Sequence, residues 1–462
     1  MTDNHGVTNN AGRDTGRSAE HSAGGSADSN NSAGRGADCS PDRGGDRLEA
    51  RAGSLDAHDP LSAHRGAFAT APGVVSYLDG NSLGRPTADA AERLRSFTAD
   101  QWGGRLIRGW DEGWFEKPLT LGDRLGAATL GAGPGQRFIG ESTTVVLYKL
   151  IHAALDMRPD RTEIIADSAN FPTDRYLIHG IAEDRGLTVR WLDPTEVEAQ
   201  PGDASVTGIR PDQVAALATD STALVLLSHI DYRTGYIADL PAITDIAHRA
   251  GALVVWDLCH SVGALPLELD DHDVDFAAGC TYKYLNGGPG APAFGYVASR
   301  HIPSATHPIR GWMGVANAFE MGPSYEPHPG IRRFVSGTPA VLGMVPLESM
   351  LDLVEGVGME AIRAKSTALT DFVIELYDEL LAPLGVQLGS PRDGSVRGGH
   401  VTIHHDLCEA ALPALWERGI IPDFRRPNGL RLGPSPLSTG FTEVYEGVLG
   451  IRDALLEAGA SG

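Results

Sequence analysis

Asp257 and Lys283 are the pair of residues whose types and spacing bear on chemistry. Asp257 closes the apolar run ALVVWD at 252 to 257. Lys283 follows the run VDFAAG and sits within TYKYLNGGPG at 281 to 290. Ligands of parallel sheets gather beyond the carboxyl ends of the strands, so an acid at that position is placed for binding. A lysine seldom stands between a buried strand and a glycine-rich turn without a partner or a covalent task. The two types together are what pyridoxal phosphate chemistry needs: an amine for a Schiff base, and a carboxylate that keeps the pyridine nitrogen protonated so that the ring accepts electrons. Taken alone, they also fit a surface lysine and a helix-capping aspartate.

The elements that must position this pair are legible in the hydrophobic pattern. Thr162–Asp167, Thr188–Leu192, Ala223–Ser228, Ala252–Asp257, Val274–Gly279 and Ala293–Ala298 read as buried strands. Between most of them lie amphipathic stretches. Ser142–Met157 opens on a Ser/Thr cap, Phe171–Gly186 has Pro172 in its first turn, and Asp239–Gly251 ends in a glycine stop. Strands apolar on both faces and separated by helices imply an α/β core with a mostly parallel sheet covered on both sides. After about residue 341 the texture changes to helix 359–381, strand-like GGHVTIHH at 398 to 405, helix 409–418, RPNGLRLGPSPL and helix 442–456, a smaller α+β domain. The expected organisation is a disordered tail over 1–55, an N-terminal segment over 56–110 that contributes to the substrate pocket, a large cofactor-binding domain over 111–340 and a small domain over 341–462.

Composition narrows the classes. The 462 residues carry 38 basic and 60 acidic side chains, a formal charge of -22, with no lysine or arginine cluster; a polyanion would be repelled, so no nucleic-acid partner is expected. No apolar stretch approaches the roughly 20 residues of a membrane helix. The first 50 residues hold nine glycines, six serines and seven alanines, with Met1, Val7 and Leu48 as their only large aliphatics. Such a segment buries too little to offset its ordering entropy. It also lacks the apolar core of a secretory signal and is too acidic for a transit peptide, so a cytoplasmic location is expected. The cysteines at 39, 259, 280 and 408 show no metal-type pairing. His404-His405 reads as an exposed strand pair with no third ligand, so no metal is expected.

Seven motifs extend the pair into a pattern: YLDGNSLG (77 to 84), NFPTD (170 to 174), DLCHSVGALPL (257 to 267), CTYKYLNGGPG (280 to 290), GW (311 to 312), SGTP (336 to 339) and RPNGLRLGPSPL (426 to 437). In order and approximate spacing they resemble kynureninase, a pyridoxal phosphate family of the aspartate aminotransferase fold type (fold type I), over most of the chain from about residue 77. The resemblance implies roles. Lys283 is the Schiff-base lysine and Asp257 the pyridine partner. Phe171 stacks on the cofactor ring. Thr143 and Thr144, at a helix start where free N–H groups favour an anion, hold the phosphate. Asp174, Ser228, His260 and Tyr282 are further cofactor contacts, Tyr282 also being a candidate acid/base group. Trp312 and Thr338 are cofactor or phosphate contacts of a kind that the neighbouring subunit often supplies, which implies a homodimer. Arg431 clamps the substrate α-carboxylate, which suits a planar fork. Ser82 and Trp110 line the substrate pocket. Each side chain has a plainer reading too: capping for Thr143 and Thr144, core packing for Phe171, Trp110 and Trp312, a turn for Asn81-Ser82, a solvent-facing strand position for Arg431. Cys259 and Cys280 flank the motifs as small buried residues.

The reaction implied is hydrolysis of the Cβ–Cγ bond of L-kynurenine to anthranilate and L-alanine, with tryptophan degradation and NAD biosynthesis as its setting. In this family a histidine at the position of Trp110 accompanies a preference for 3-hydroxykynurenine and a tryptophan a preference for kynurenine, which makes the hydroxylated compound the poorer substrate here. Two alternatives are a desulfurase-like lyase of the same fold, which would want a mobile-loop cysteine, and a non-catalytic regulator, against which an intact Lys283, Asp257 and Arg431 argue.

Overall fold

The strands that follow the hydrophobic pattern also alternate with period two, and the alternation builds the core. The computed structural model describes residues 43–198 and 206–460. Seven strands form the large sheet: β1 (Arg137–Ile139), β2 (Glu163–Asp167), β3 (Thr188–Leu192), β4 (Thr222–Ser228), β5 (Leu253–Asp257), β6 (Phe276–Gly279) and β7 (Phe294–Val297), in the order β1-β7-β6-β5-β4-β2-β3. β2 to β6 pair in parallel, and β7 runs antiparallel to both β6 and β1. Leu224, Leu226, Leu253 and Val255 face one core, while Val225, Leu227, Val254 and Trp256 face another on the opposite side. Both faces are therefore buried, as a parallel sheet requires.

A second sheet of β8 (Gln387–Leu388), β9 (Val401–His404), β10 (Asp423–Arg425) and β11 (Gly429–Leu432), ordered β8-β9-β11-β10, is antiparallel throughout. Its core contains Leu388, Val401, Ile403, Leu430 and Leu432. His404 and His405 are half-buried rather than exposed.

Three findings depart from the sequence expectations. A helix, α1 (Arg43–Ala57), begins inside the segment 1–55 expected to be disordered and runs just past its end. Leu48 and Ala52, four apart on one face, are buried in the core of the second sheet. Asp56 receives the backbone N–H groups of Phe441 and Thr442, each at 2.9 Å, at the start of the helix Phe441–Ala460. The composition average over the first 50 residues hid one short amphipathic stretch, because a single leucine is enough when a groove already exists for it. The rest of that expected tail, residues 1–42, lies outside the described residues, as does Cys39. Second, the helix Val341–Val357 forms despite Gly343 and Pro346: burial of Met344, Leu347 and Leu351 overrides the low propensity. Third, the strand β1 is only three residues long and gave no periodic signal.

Among the described residues, no helix is long and apolar enough to cross a membrane.

Candidate active site

Strand order makes the site. Between β4 and β2 the direction of winding reverses, and such switch points open a crevice beyond the carboxyl ends of the strands. Ser228 and Asp257 end β4 and β5 in register, and β6 delivers the segment that carries Lys283. A cavity of about 570 Å³ opens there, within the range of about 300–1,000 Å³ usual for small-ligand sites. Its walls bring together Ser82, Thr143, Thr144, Phe171, Asp174, Ser228, Asp257, His260, Tyr282, Lys283, Thr338 and Arg431.

The N-terminal motif reaches this cavity by docking on the lysine loop. The Gly84 N–H donates to the Tyr282 carbonyl at 2.8 Å, and a Cβ at Gly84 would stand 2.3 Å from the Lys283 carbonyl oxygen. Only glycine permits that approach. Asn286 donates to the Arg85 carbonyl at 2.7 Å and locks the contact from the other side.

Lys283 Nζ lies 3.2 Å from His260 Nε2. Burial, and then the neighbouring charge of Lys283, push the His260 pKa well below its usual value, so the ring is neutral and can accept from the ammonium. Asp257 accepts the Cys259 N–H at 2.7 Å, which orients its carboxylate. Asp174 is fully buried; burial, and then the charge of Asp257, push its pKa well above the usual carboxylate range. Asn170 donates to Asp174 at 2.9 Å and accepts from the Ser228 hydroxyl at 2.7 Å, linking the first turn of the helix Pro172–Arg185 to the end of β4. The Tyr282 phenol is pushed up first by burial and then by Cys280, so it keeps its proton.

At the other end of the cavity Ser142 caps the helix α2 (Thr143–Asp156), accepting from the Val145 N–H at 3.4 Å. The first turn offers backbone N–H groups toward an anion at Thr143 and Thr144. Glu141, also on the cavity wall, is neutralised by the buried Lys149 at 3.0 Å. Phe171 begins the helix α3 (Pro172–Arg185), is 37% exposed, and meets Tyr232 edge-on at 5.4 Å. An amine, a strand-end carboxylate, an exposed ring and a helix N-terminus in one cavity fit pyridoxal phosphate: they match its aldehyde, its pyridine nitrogen, its ring face and its phosphate.

Arg431 is buried in β11. It donates through Nε (2.6 Å) and Nη2 to Asp423, through Nη2 to the Ser82 hydroxyl at 2.8 Å and through Nη1 to the Tyr232 carbonyl at 2.7 Å. Burial, and then the charge of Asp423, push the nearby Asp79 up to about 6.

Two expected site residues are not brought to this cavity. Trp110 ends a short 3-10 turn (Leu106–Trp110) and packs edge-on against Trp114 at 5.7 Å. Trp312 is 38% exposed and packs edge-on against Phe319 at 6.2 Å. Neither lines the cavity of its own chain. Residues missed by sequence reasoning are Asn170, Tyr232, Asp423 and Arg425. The motif NFPTD contained the first, and the alternation Asp423-Phe424-Arg425 on a strand put the last two on one face.

The family comparisons agree with this geometry. A model of the kynureninase C-terminal domain matches residues 362–450. One of the DegT/DnrJ/EryC1/StrS aminotransferase family matches 192–273. Kynureninase from Pseudomonas fluorescens is 39% identical over 402 residues, covering 86% of this chain and 92% of the relative. The chain belongs to the kynureninase family. Kynureninase from Burkholderia pseudomallei (strain 1106a) is 41% identical over 409 residues, 87% of this chain and 94% of the relative. Among solved structures, a C-DES variant with glycine covalently linked to its PLP cofactor superposes with a TM-score of 0.71 at 20% identity, covering 82% of this chain and 96% of its own. A cysteine desulfurase from Thermococcus onnurineus NA1 gives 0.64 at 18%, covering 88% and 98%. The fold is that of the fold type I pyridoxal phosphate enzymes, and the protein is a pyridoxal phosphate-dependent hydrolase of this family.

Proposed function

We propose that the enzyme hydrolyses L-kynurenine to anthranilate and L-alanine, and that 3-hydroxykynurenine is its poorer substrate. The observation that carries the reading is the convergence of Lys283, Asp257 and Arg431 on one cavity, with an amine at one place and a buried guanidinium at another. Bound pyridoxal phosphate supplies the electron sink for bond cleavage next to the substrate amine. In this reading Asp257 holds the pyridine nitrogen, Phe171 covers the ring, and Thr143 and Thr144 hold the phosphate. Lys283 takes the α-proton, with His260 beside it to receive a hydrogen bond. Arg431 and Ser82 orient the substrate α-carboxylate, which fixes the γ-carbonyl for addition of water. Tyr282 donates a proton as the Cβ–Cγ bond breaks, and one water is consumed for each anthranilate and alanine formed.

The reading includes a homodimer, a cytoplasmic location, and a division into a large domain (111–340) and a small one (341–462). Exposed Leu106 (59%), Ile107 (76%), Phe319 (62%) and Trp312 favour a second copy as their cover, with Trp110 and Trp312 facing the partner's cavity. The test is spectroscopic and kinetic. Purified holoenzyme should absorb near 420 nm as Schiff-base pyridoxal phosphate enzymes do, and adding L-kynurenine should shift the band as anthranilate fluorescence appears. A band that responds to cysteine but not to kynurenine would overturn it.

A further inference from the structure

The fork of Arg431 is already occupied by a carboxylate of its own chain. A guanidinium grips a carboxylate through one whole edge of two N–H groups. The Nε/Nη2 edge of Arg431 is held by Asp423, directly opposite it in the β10/β11 pair. The Nη1/Nη2 edge is divided between the Tyr232 carbonyl and the Ser82 hydroxyl. No edge remains for a substrate. Asp423 also accepts from Arg425 Nε at 3.0 Å; Arg425 stands two residues on, on the same face of β10, and lines the same cavity. Its side chain is 41% exposed, against 2% for Arg431, so it has the room to move that Arg431 lacks. Two guanidiniums meet two carboxylates here, Asp79 and Asp423, and an entering α-carboxylate makes a third.

We propose that Asp423 is a resident stand-in for the substrate carboxylate: on binding, the α-carboxylate takes the Nε/Nη2 edge of Arg431, and Asp423 is handed to Arg425. The proposal rests on the reading of Arg431 as the carboxylate clamp. Arg431 is then never left as a bare buried cation, which would cost more than the exchange itself. The exchange also sets specificity. Only a ligand whose carboxylate competes with Asp423 gains the site, and one without a carboxylate meets a clamp that is already closed.

The holoenzyme tests this with two probes, L-alanine and the decarboxylated amine analogue of kynurenine, measured as inhibition constants beside KM for L-kynurenine. In Asp423→Asn, the constants for L-alanine and L-kynurenine should fall about three- to tenfold, the scale of one net intramolecular hydrogen bond, while that of the amine stays where it was. Arg425→Gln should raise the two carboxylate constants in the wild-type background and leave them unchanged in the Asp423→Asn background, because Arg425 acts only by receiving Asp423. A rise in Asp423→Asn, or an Arg425→Gln effect of equal size in both backgrounds, overturns the exchange and leaves Asp423 an orienting group or Arg425 a direct contact. Asp423→Ser carries the same prediction should the amide variant misfold. Arg431→Lys separates the two layers: if it does not raise the L-alanine constant, the clamp reading itself is refuted and the exchange with it.

Discussion

Removing the helix α1 should destabilise a chain in which composition alone makes it look dispensable. Leu48 and Ala52 are 1% and 0% exposed. Burying a leucine side chain is worth about 1.5–3 kcal/mol, and an alanine methyl about 0.8. The carboxylate of Asp56 satisfies two N–H groups that open the helix Phe441–Ala460, a cap worth about 0.5–2 kcal/mol. Truncation at residue 58, compared with truncation at residue 42, should therefore cost about 3–6 kcal/mol and lower the thermal midpoint by about 6–12 °C at roughly 2 °C per kcal/mol for a chain of this size. Asp56→Ala alone should cost the capping share, about 0.5–2 kcal/mol. Burial works to raise the Asp56 pKa, but hydrogen bonds from Thr442 and Phe441 and the charge of Arg65 outweigh it and hold the carboxyl below its usual value. A depressed carboxylate pKa contributes stability that is present above the unfolded value, about 3.9, and is lost as pH falls through the folded one. The gap between wild type and Asp56→Ala should thus be full at pH 6 and shrink below about pH 4. Differential scanning calorimetry of the two truncations and of the point variant at both pH values measures this. Equal midpoints for the two truncations would refute the argument, and a gap that widens in acid would refute the capping part of it.

Lys283→Ala should keep the wild-type melting curve and lose turnover of L-kynurenine, because no other amine stands in the cavity; anthranilate release at wild-type rate would remove Lys283 from the chemistry. Asp257→Asn should lower kcat/KM by about 100-fold, or about 3 kcal/mol, because it removes the carboxylate read as the pyridine partner, whereas Asp174→Asn keeps a hydrogen-bond partner for Asn170 and should lose less; equal losses in both would refute the assignment of the pyridine contact to Asp257. Trp110→His should narrow the preference for kynurenine over 3-hydroxykynurenine, read as the ratio of the two kcat/KM values. Because Trp110 does not reach its own cavity, inactive mixtures should also complement: Lys283→Ala combined with an inactive Trp110 variant should regain activity only if subunits pair.

The legible part of this molecule was local. The core strands could be read because a parallel sheet buried on both faces leaves continuous apolar runs, and all six expected central strands begin and end within two residues of 163–167, 188–192, 222–228, 253–257, 276–279 and 294–297. Asp257 and Lys283 could be read because a charged group beside a buried strand is costly without a purpose. The N-terminal helix escaped because an average over 50 residues dilutes one leucine, and because the backbone groups that Asp56 caps lie more than 300 residues away.

What the sequence by itself determined is which residue types stand at which strand ends, together with the motif order that ties them to a family; these are properties of nearest neighbours along the chain and of its periodicity. Only the tertiary structure decided that Asp423 and Ser82 meet on Arg431, that Asn170 bridges Asp174 and Ser228, and that Trp110 and Trp312 are absent from the cavity lining of their own chain. The physical reason is that a hydrogen bond or an ion pair depends on distance in space. Ser82 and Arg431 are 349 positions apart in the chain and 2.8 Å apart in the fold, and no pattern of spacing along a strand or helix carries that information.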